Sequence, residues 1–148
     1  MAKGKKSTHY IDNKEFLEVM KGYHVLVVEA QEKGEPRPII PDYVGECFIK
    51  IAQRLSFRPN FINYAFREDM ISDGIENCVQ YIHNFNPARS DNPFAYFTQI
   101  IYYAFIRRIE KEKKQLYIKY KTMDMRGTLD ENVTLSKHDT ADGHGDAP

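Results

Sequence analysis

Once Asn92 and Pro93 start a helix, nothing in the chain stops it until about Tyr120. Asparagine is a favoured N-cap, and proline at the first helical position is already set to the helical φ. The stretch from Phe94 to Ile106, FAYFTQIIYYAFI, then runs straight into RRIEKEKKQLYIKYK. Eleven of those first thirteen residues are apolar or aromatic, and seven Lys or Arg follow between Arg107 and Lys121. A helix that only packs on a core needs one apolar stripe, with polar residues opposite. Here the surplus face carries rings and then cations, the pairing that single-stranded nucleic acid takes: rings for bases, charge for phosphates.

Three further helices are predicted ahead of it. The first begins near Asp12, which can cap it while Glu15 reaches back as in a capping box. Phe16, Leu17, Met20, Val27 and Val28 supply its apolar positions, and Gly34-Glu35-Pro36-Arg37-Pro38 ends it. The second spans roughly residues 42–56, where Val44, Cys47, Ile51 and Leu55 recur at helical spacing. Arg58-Pro59-Asn60 breaks it. The third covers roughly residues 67–84, with Ile71, Ile75, Cys78 and Ile82 as the expected inward stripe. Its other side carries Glu68, Asp69, Ser72, Asp73 and Glu76. Acid there suits a helix N-terminus and equally suits a docking face for a basic partner. No strand pattern survives the helical alternatives, so the fold class is all-α: a compact bundle of about four helices between disordered tails.

At 148 residues the chain is one domain's worth of sequence. Its net charge of zero hides segregation. Residues 107–121 set seven cations against Glu110 and Glu112, whereas residues 122–148 set Asp124, Asp130, Glu131, Asp139, Asp142 and Asp146 against Arg126 and Lys137. The predicted division is a disordered basic N-terminus over 1–9, a helical domain over 10–121 and a disordered acidic tail over 122–148. Cys47 and Cys78 sit alone within apolar helical patterns and read as buried thiols of a reducing compartment. No apolar run reaches membrane-spanning length, and the basic start lacks the apolar segment of a signal peptide. The expectation is a soluble cytoplasmic protein with no membrane partner.

On a helical wheel of the last helix, Tyr96, Gln99, Tyr103, Arg107, Glu110 and Lys114 share one stripe. Ile101, Phe105 and Ile109 fall nearer another, which reads as core. The first stripe is either a surface for unstacked bases, each ring worth about 1–3 kcal/mol per base, or simply more helix packing. The cations after it are either phosphate contacts or a solvated helix end.

Catalytic signatures are missing from the sequence. The five histidines are dispersed, and no HExxH or Cys/His ligand spacing occurs. Gly4-Lys5-Lys6-Ser7 lacks the first glycine and the preceding strand of a phosphate loop. Asp69, Asp73 and Glu76 share a helix face, but no other segment supplies converging metal ligands. Asn132-Val133-Thr134 matches a glycosylation sequon, without consequence in a cytoplasm. Neither an enzymatic activity nor a cofactor is expected.

The segment EDMISDGIENCVQYIHNFNPARSDNPFAYFTQIIYYAFIRRIEKEKK resembles the second conserved region of bacterial sigma factors. There an acidic helix of DLIQEG type leads through a short loop to an aromatic helix of FSTYA type and then to basic residues. Within that superfamily the segment is most similar to the late-transcription sigma factors of T-even-type phages, over Glu68–Glu76, Tyr81–Asn86, Asn92–Gln99 and Tyr102–Glu112. The likeness covers roughly residues 10–121.

The resemblance implies a helical domain that binds host RNA polymerase core, recognises a short A·T-rich late promoter element and stabilises its opening in the host cytoplasm. By position, Asp69, Ser72, Asp73 and Glu76 would dock on the clamp coiled coil of the polymerase's largest subunit. Tyr96, Phe97, Ile100 and Tyr103 would hold flipped promoter bases. Arg107, Arg108, Lys111 and Lys114 would meet the duplex edge and phosphates. The family also implies a phage coactivator and a sliding clamp as further partners.

Three departures stand out. The chain has no tryptophan, and Ile100 and Ile101 occupy the place of the paired Trp that wedges the duplex open, which predicts weak or assisted melting. No second promoter-reading domain is expected, which would rest promoter reading on one short element. The tail, with Leu129, Val133 and Leu135 as its sizeable apolar residues, lacks the hydrophobic motif that grips the sliding clamp in T-even relatives. The alternative reading of the same residues is a helical polymerase-binding adaptor, or an anti-sigma-like protein, that never touches promoter DNA.

Overall fold

The computed structural model describes residues 10–131, and it is all-α, with four α-helices and no strand among the described residues. In chain order these are α1 (Asn13–Lys33), α2 (Asp42–Ser56), α3 (Arg67–Tyr81), which runs on into a 3-10 turn (Ile82–Asn84), and α4 (Pro93–Glu131). The basic N-terminus over 1–9, the Asn132 sequon, Val133, Leu135 and the acids from Asp139 onward lie outside the described residues. The chain divides into two compact units, one reaching Ile106 and one beginning at Arg107.

The boundaries of the first unit follow local chemistry. Asp12, extended at φ −88°, accepts the N–H groups of Lys14 at 3.0 Å and Glu15 at 3.3 Å, which satisfies orphan donors at the start of α1. At the other end Gly34 takes φ 68°, a left-handed conformation that glycine adopts without penalty. There the Gly34 N–H donates to Gln31 O and the Glu35 N–H to Ala30 O, the paired bonds of a Schellman cap. The proline-bearing connection that follows is strapped to two helices. The Tyr23 hydroxyl donates to Pro38 O at 2.8 Å, and Arg37 Nη1 donates to Gln80 O at 3.0 Å and to His83 Nδ1 at 2.6 Å.

Val44, Cys47, Ile51 and Leu55 of α2 are buried, as their spacing predicts. At its end the buried Ser56 hydroxyl donates to Gln53 O and accepts from Arg67 Nη1, both at 2.7 Å. The Arg67 guanidinium also lies 4.6 Å over the Phe57 ring. One cation thus ties the end of α2 to the start of α3.

The inward row of α3 differs from the expected one. Met70, Gly74 and Cys78 are buried and the row continues to Ile82, while Ile71 and Ile75 are only half-buried. The reason is Gly74. A Cβ there would stand 2.9 Å from Ile101 Cγ2 and 3.3 Å from Phe105 Cε1. The missing side chain lets α4 approach the α3 backbone more closely than any row headed by isoleucine allows.

Phe97 is the hub of the core. Its ring stacks on Phe16 of α1 at 5.7 Å, tilts against Phe48 of α2 at 4.8 Å and meets Phe85 of the α3–α4 connection at 5.9 Å. Phe61 packs edge-on against Phe105 at 5.1 Å. Each such pair adds about 0.5–1.5 kcal/mol beyond its area burial.

In the second unit α4 continues from Arg107 to Glu131, past the end expected near Tyr120. Met123, Met125 and Arg126 are good helix formers. The Thr122 hydroxyl, a competitor for backbone elsewhere, is satisfied within the helix by Ile118 O at 2.9 Å. Arg108 and Glu112 form an i,i+4 ion pair at 3.0 Å. No helix among the described residues is long and apolar enough to cross a membrane.

Candidate functional site

Two surfaces of the first unit carry the residues nominated from the sequence. The first is the outer side of α3. Glu68, Asp69, Ser72 and Glu76 are exposed, and Asp73 is half-buried. Glu68 and Asp69 occupy the first turn, where the helix dipole favours negative charge. Arg67, their neighbour in sequence, is turned to Ser56 and Phe57 instead. Glu68, Asp69 and Glu76 therefore present carboxylates to solvent on a helix whose opposite row is locked against α4 through Gly74.

The second surface is the tyrosine side of α4. Tyr103 is 50% exposed, and its ring meets Tyr102 edge-on at 5.5 Å. Ile100 is half-buried beside them. Tyr96 is half-buried between Phe85 at 5.1 Å and Phe97 at 4.9 Å, both in edge contacts. Burial pushes its hydroxyl above the usual tyrosine range, and the nearby Cys78 adds to the rise. A phenol in that setting stays neutral and acts as a ring with a hydrogen-bonding rim.

Phe97 corrects the sequence expectation. It is fully buried and belongs to the core, not to a base-holding face. Burying a phenylalanine contributes about 1.5–3 kcal/mol, and the stacking of one base returns about 1–3 kcal/mol. Withdrawing the hub of four aromatic contacts to stack on a base therefore gains nothing.

Tyr102 is the residue that sequence reasoning passed over. It is 37% exposed and sits edge-on between Phe61 at 5.7 Å and Tyr103. On the wheel it belongs to neither stripe, so only its place beside Tyr103 in the ring-rich run pointed to it. Tyr102 and Tyr103 together make the exposed ring surface of α4 within this unit.

The second unit holds the nominated cations. Arg107, Lys111 and Lys114 are exposed, and Arg108 is half-buried with its guanidinium on Glu112. Its pairing makes Arg108 the least available of the four for a phosphate.

Cys47 and Cys78 are free, buried thiols. Burial raises both above the ordinary thiol range, Cys78 the more strongly. A cavity of about 260 Å³ opens between α1 and α2, lined by Tyr10, Asp12, Glu15, Tyr43, Glu46 and Lys50 among others. Lys50 and the three acids share its wall, so it carries no single sign of charge. No protein-family model matches the chain, and no curated protein sequence matches it either.

Proposed function

We propose that this chain acts as a phage late-transcription sigma factor. It binds host RNA polymerase core through the acidic side of α3, recognises a short A·T-rich promoter element and stabilises that element in its opened form. The observation that carries this reading is the Gly74 contact. Because α3 and α4 meet backbone to side chain there, the exposed acids of one helix and the exposed tyrosines of the other are held on one rigidly packed body. That is the arrangement needed by a protein that must hold polymerase and unpaired bases at the same time.

In this reading Asp69, Ser72, Asp73 and Glu76 meet a basic surface of the polymerase, in the family's manner the clamp coiled coil of the largest subunit. Tyr103 and Tyr102 offer rings to unstacked bases, with Tyr96 and Ile100 at the edge of that surface. Arg107, Lys111 and Lys114, in the second unit, take phosphates. The protein contributes binding and no bond chemistry, and it works in the host cytoplasm. A phage coactivator and a sliding clamp remain proposed further partners on the family resemblance alone.

The adaptor reading, polymerase binding without promoter contact, draws on one observation of its own: Phe97 is buried and Tyr96 is partly covered by protein, which trims the ring surface to two tyrosines. A transcription-start map made with purified protein and core polymerase on phage DNA decides between them. New starts that share an A·T-rich element are expected. Core binding without any change of start sites would establish the adaptor, and no binding to core would overturn both.

A further inference from the structure

Gln99 stands in the middle of the ring surface of α4. At 3.6 residues per turn, Ala95, Gln99, Tyr102, Tyr103 and Ile106 fall within an arc of about 100°. Gln99 lies between the two tyrosines in that arc, and they are its neighbours one turn on, at i+3 and i+4. Both tyrosines are exposed. Gln99 and Ala95 are exposed with them, and Ile106 is half-buried.

The outward side of a helix ordinarily carries charge, and up to Ile106 this one carries none. Its side chains are two phenols, a methyl, a branched alkyl and one carboxamide. That carboxamide makes no hydrogen bond to another described residue. Thr98, next to it in sequence, has its hydroxyl covered by protein. Gln99 is therefore the free hydrogen-bonding group at the centre of the surface. A carboxamide offers an acceptor and a donor side by side. Adenine presents the matching pair at N7 and N6, whereas guanine has acceptors at both N7 and O6. A tyrosine ring holds any base, because every base has a π-face. The rings give grip without choice, and the amide between them can choose.

We propose that Gln99 selects adenine among the unpaired bases held by Tyr102 and Tyr103. Its amide nitrogen donates to adenine N7, and its amide oxygen accepts from N6. This rests on the reading of the chain as a promoter-opening protein, to which it adds the group that distinguishes one purine from the other. A cation at the same place would have favoured phosphate, which carries no sequence information.

The test uses the full chain bound to core polymerase and short fluorescent single strands read by anisotropy, with core alone as the baseline. The strands alternate thymine with adenine, with 7-deazaadenine, which lacks N7, or with guanine. The wild-type complex is expected to hold the adenine strand at least about fivefold more tightly than either of the others. Gln99→Ala should bind the adenine and 7-deazaadenine strands alike. Gln99→Arg, whose donors fit N7 and O6 of guanine, should turn the preference over to the guanine strand. Tyr102→Ala with Tyr103→Ala should instead weaken all three strands together. Gln99 is exposed and alanine is the best helix former, so the fold is kept. Equal wild-type affinity for the adenine and 7-deazaadenine strands, or an adenine preference that survives either change of Gln99, overturns the role of Gln99 and leaves promoter opening standing. Binding of no strand above the core baseline overturns both.

Discussion

Asn13 and Asn92 hold each other at the starts of the first and last helices. Asn13 Nδ2 donates to Asn92 Oδ1 at 2.9 Å, and Asn13 Oδ1 accepts the Phe94 N–H at 3.1 Å. Asn92 Oδ1 also accepts the Ala95 N–H at 3.0 Å. Two of the orphan N–H groups at the start of α4 are therefore satisfied by different asparagines, the Phe94 N–H by one 81 residues away in sequence. This joins a local cap to a long-range contact.

Loss of the cap should be visible in stability. Asn92→Ala is expected to cost about 1–2 kcal/mol, and Asn13→Ala about 1 kcal/mol, by guanidinium unfolding. Because they share bonds, the double variant should lose less than the sum, by at least about 0.5 kcal/mol. Strict additivity would mean that each asparagine acts alone.

Gly74 gives the opposite test, a position where a better helix former should harm the protein. Alanine gains about 1 kcal/mol of helix propensity over glycine, but its Cβ would stand 2.9 Å from Ile101 Cγ2, in a fully buried side chain. Overpacking of this kind costs about 1–3 kcal/mol. Gly74→Ala should therefore be neutral to mildly destabilising, and Gly74→Val should lower the urea midpoint clearly. A stabilised valine variant would show that the two helices are not held at this distance.

The buried thiol of Cys78 makes a pH prediction. Burial raises its pKa, so the folded state keeps the proton where the unfolded chain releases it. Stability from this group is complete below the unfolded thiol value, about pH 8.5, and falls as pH rises from there toward the raised folded value. The slope is about 1.4 kcal/mol per pH unit. Urea unfolding at pH 7.5 and 9.5 should show the loss, and Cys78→Ala should reduce it, leaving the share that belongs to Cys47. Equal slopes in both proteins would place the titration elsewhere.

The proposed function separates into two sets of variants. Asp69→Lys with Glu76→Lys should reduce capture of core polymerase by at least about tenfold, roughly 1.4 kcal/mol, with helical content unchanged. Tyr103→Ala with Tyr102→Ala should spare that capture and lose promoter opening, read as permanganate reactivity of thymines. Phe97→Ala should instead unfold the first unit, with a cost of about 3–5 kcal/mol. Normal opening in the double tyrosine variant would leave promoter DNA without a ring surface on this helix.

Much of the architecture was legible in the chain because its signals are local. Asp12, Gly34 and the Asn92-Pro93 pair each act within one turn of where they stand, and α2 has the bounds its spacing predicts. The candidate site was legible only in part. Along FAYFTQIIYYAFI almost every position is apolar or aromatic, so periodicity cannot rank the rings. The carboxylates of α3 were easier, since charge seldom enters a core without a partner.

By itself, then, the sequence determined an all-α chain, the N-caps of its first and last helices, the inward row of α2 and the run of cations after Ile106. Tertiary structure decided which rings of α4 are core and which are surface, making Phe97 a hub and leaving Tyr102 and Tyr103 outside. It also decided that α3 turns Gly74 inward in place of Ile71 and Ile75. The physical reason is the same in both cases. A cap is settled by atoms a few residues apart, whereas the burial of a ring or the value of an absent side chain is settled by what another helix brings to meet it.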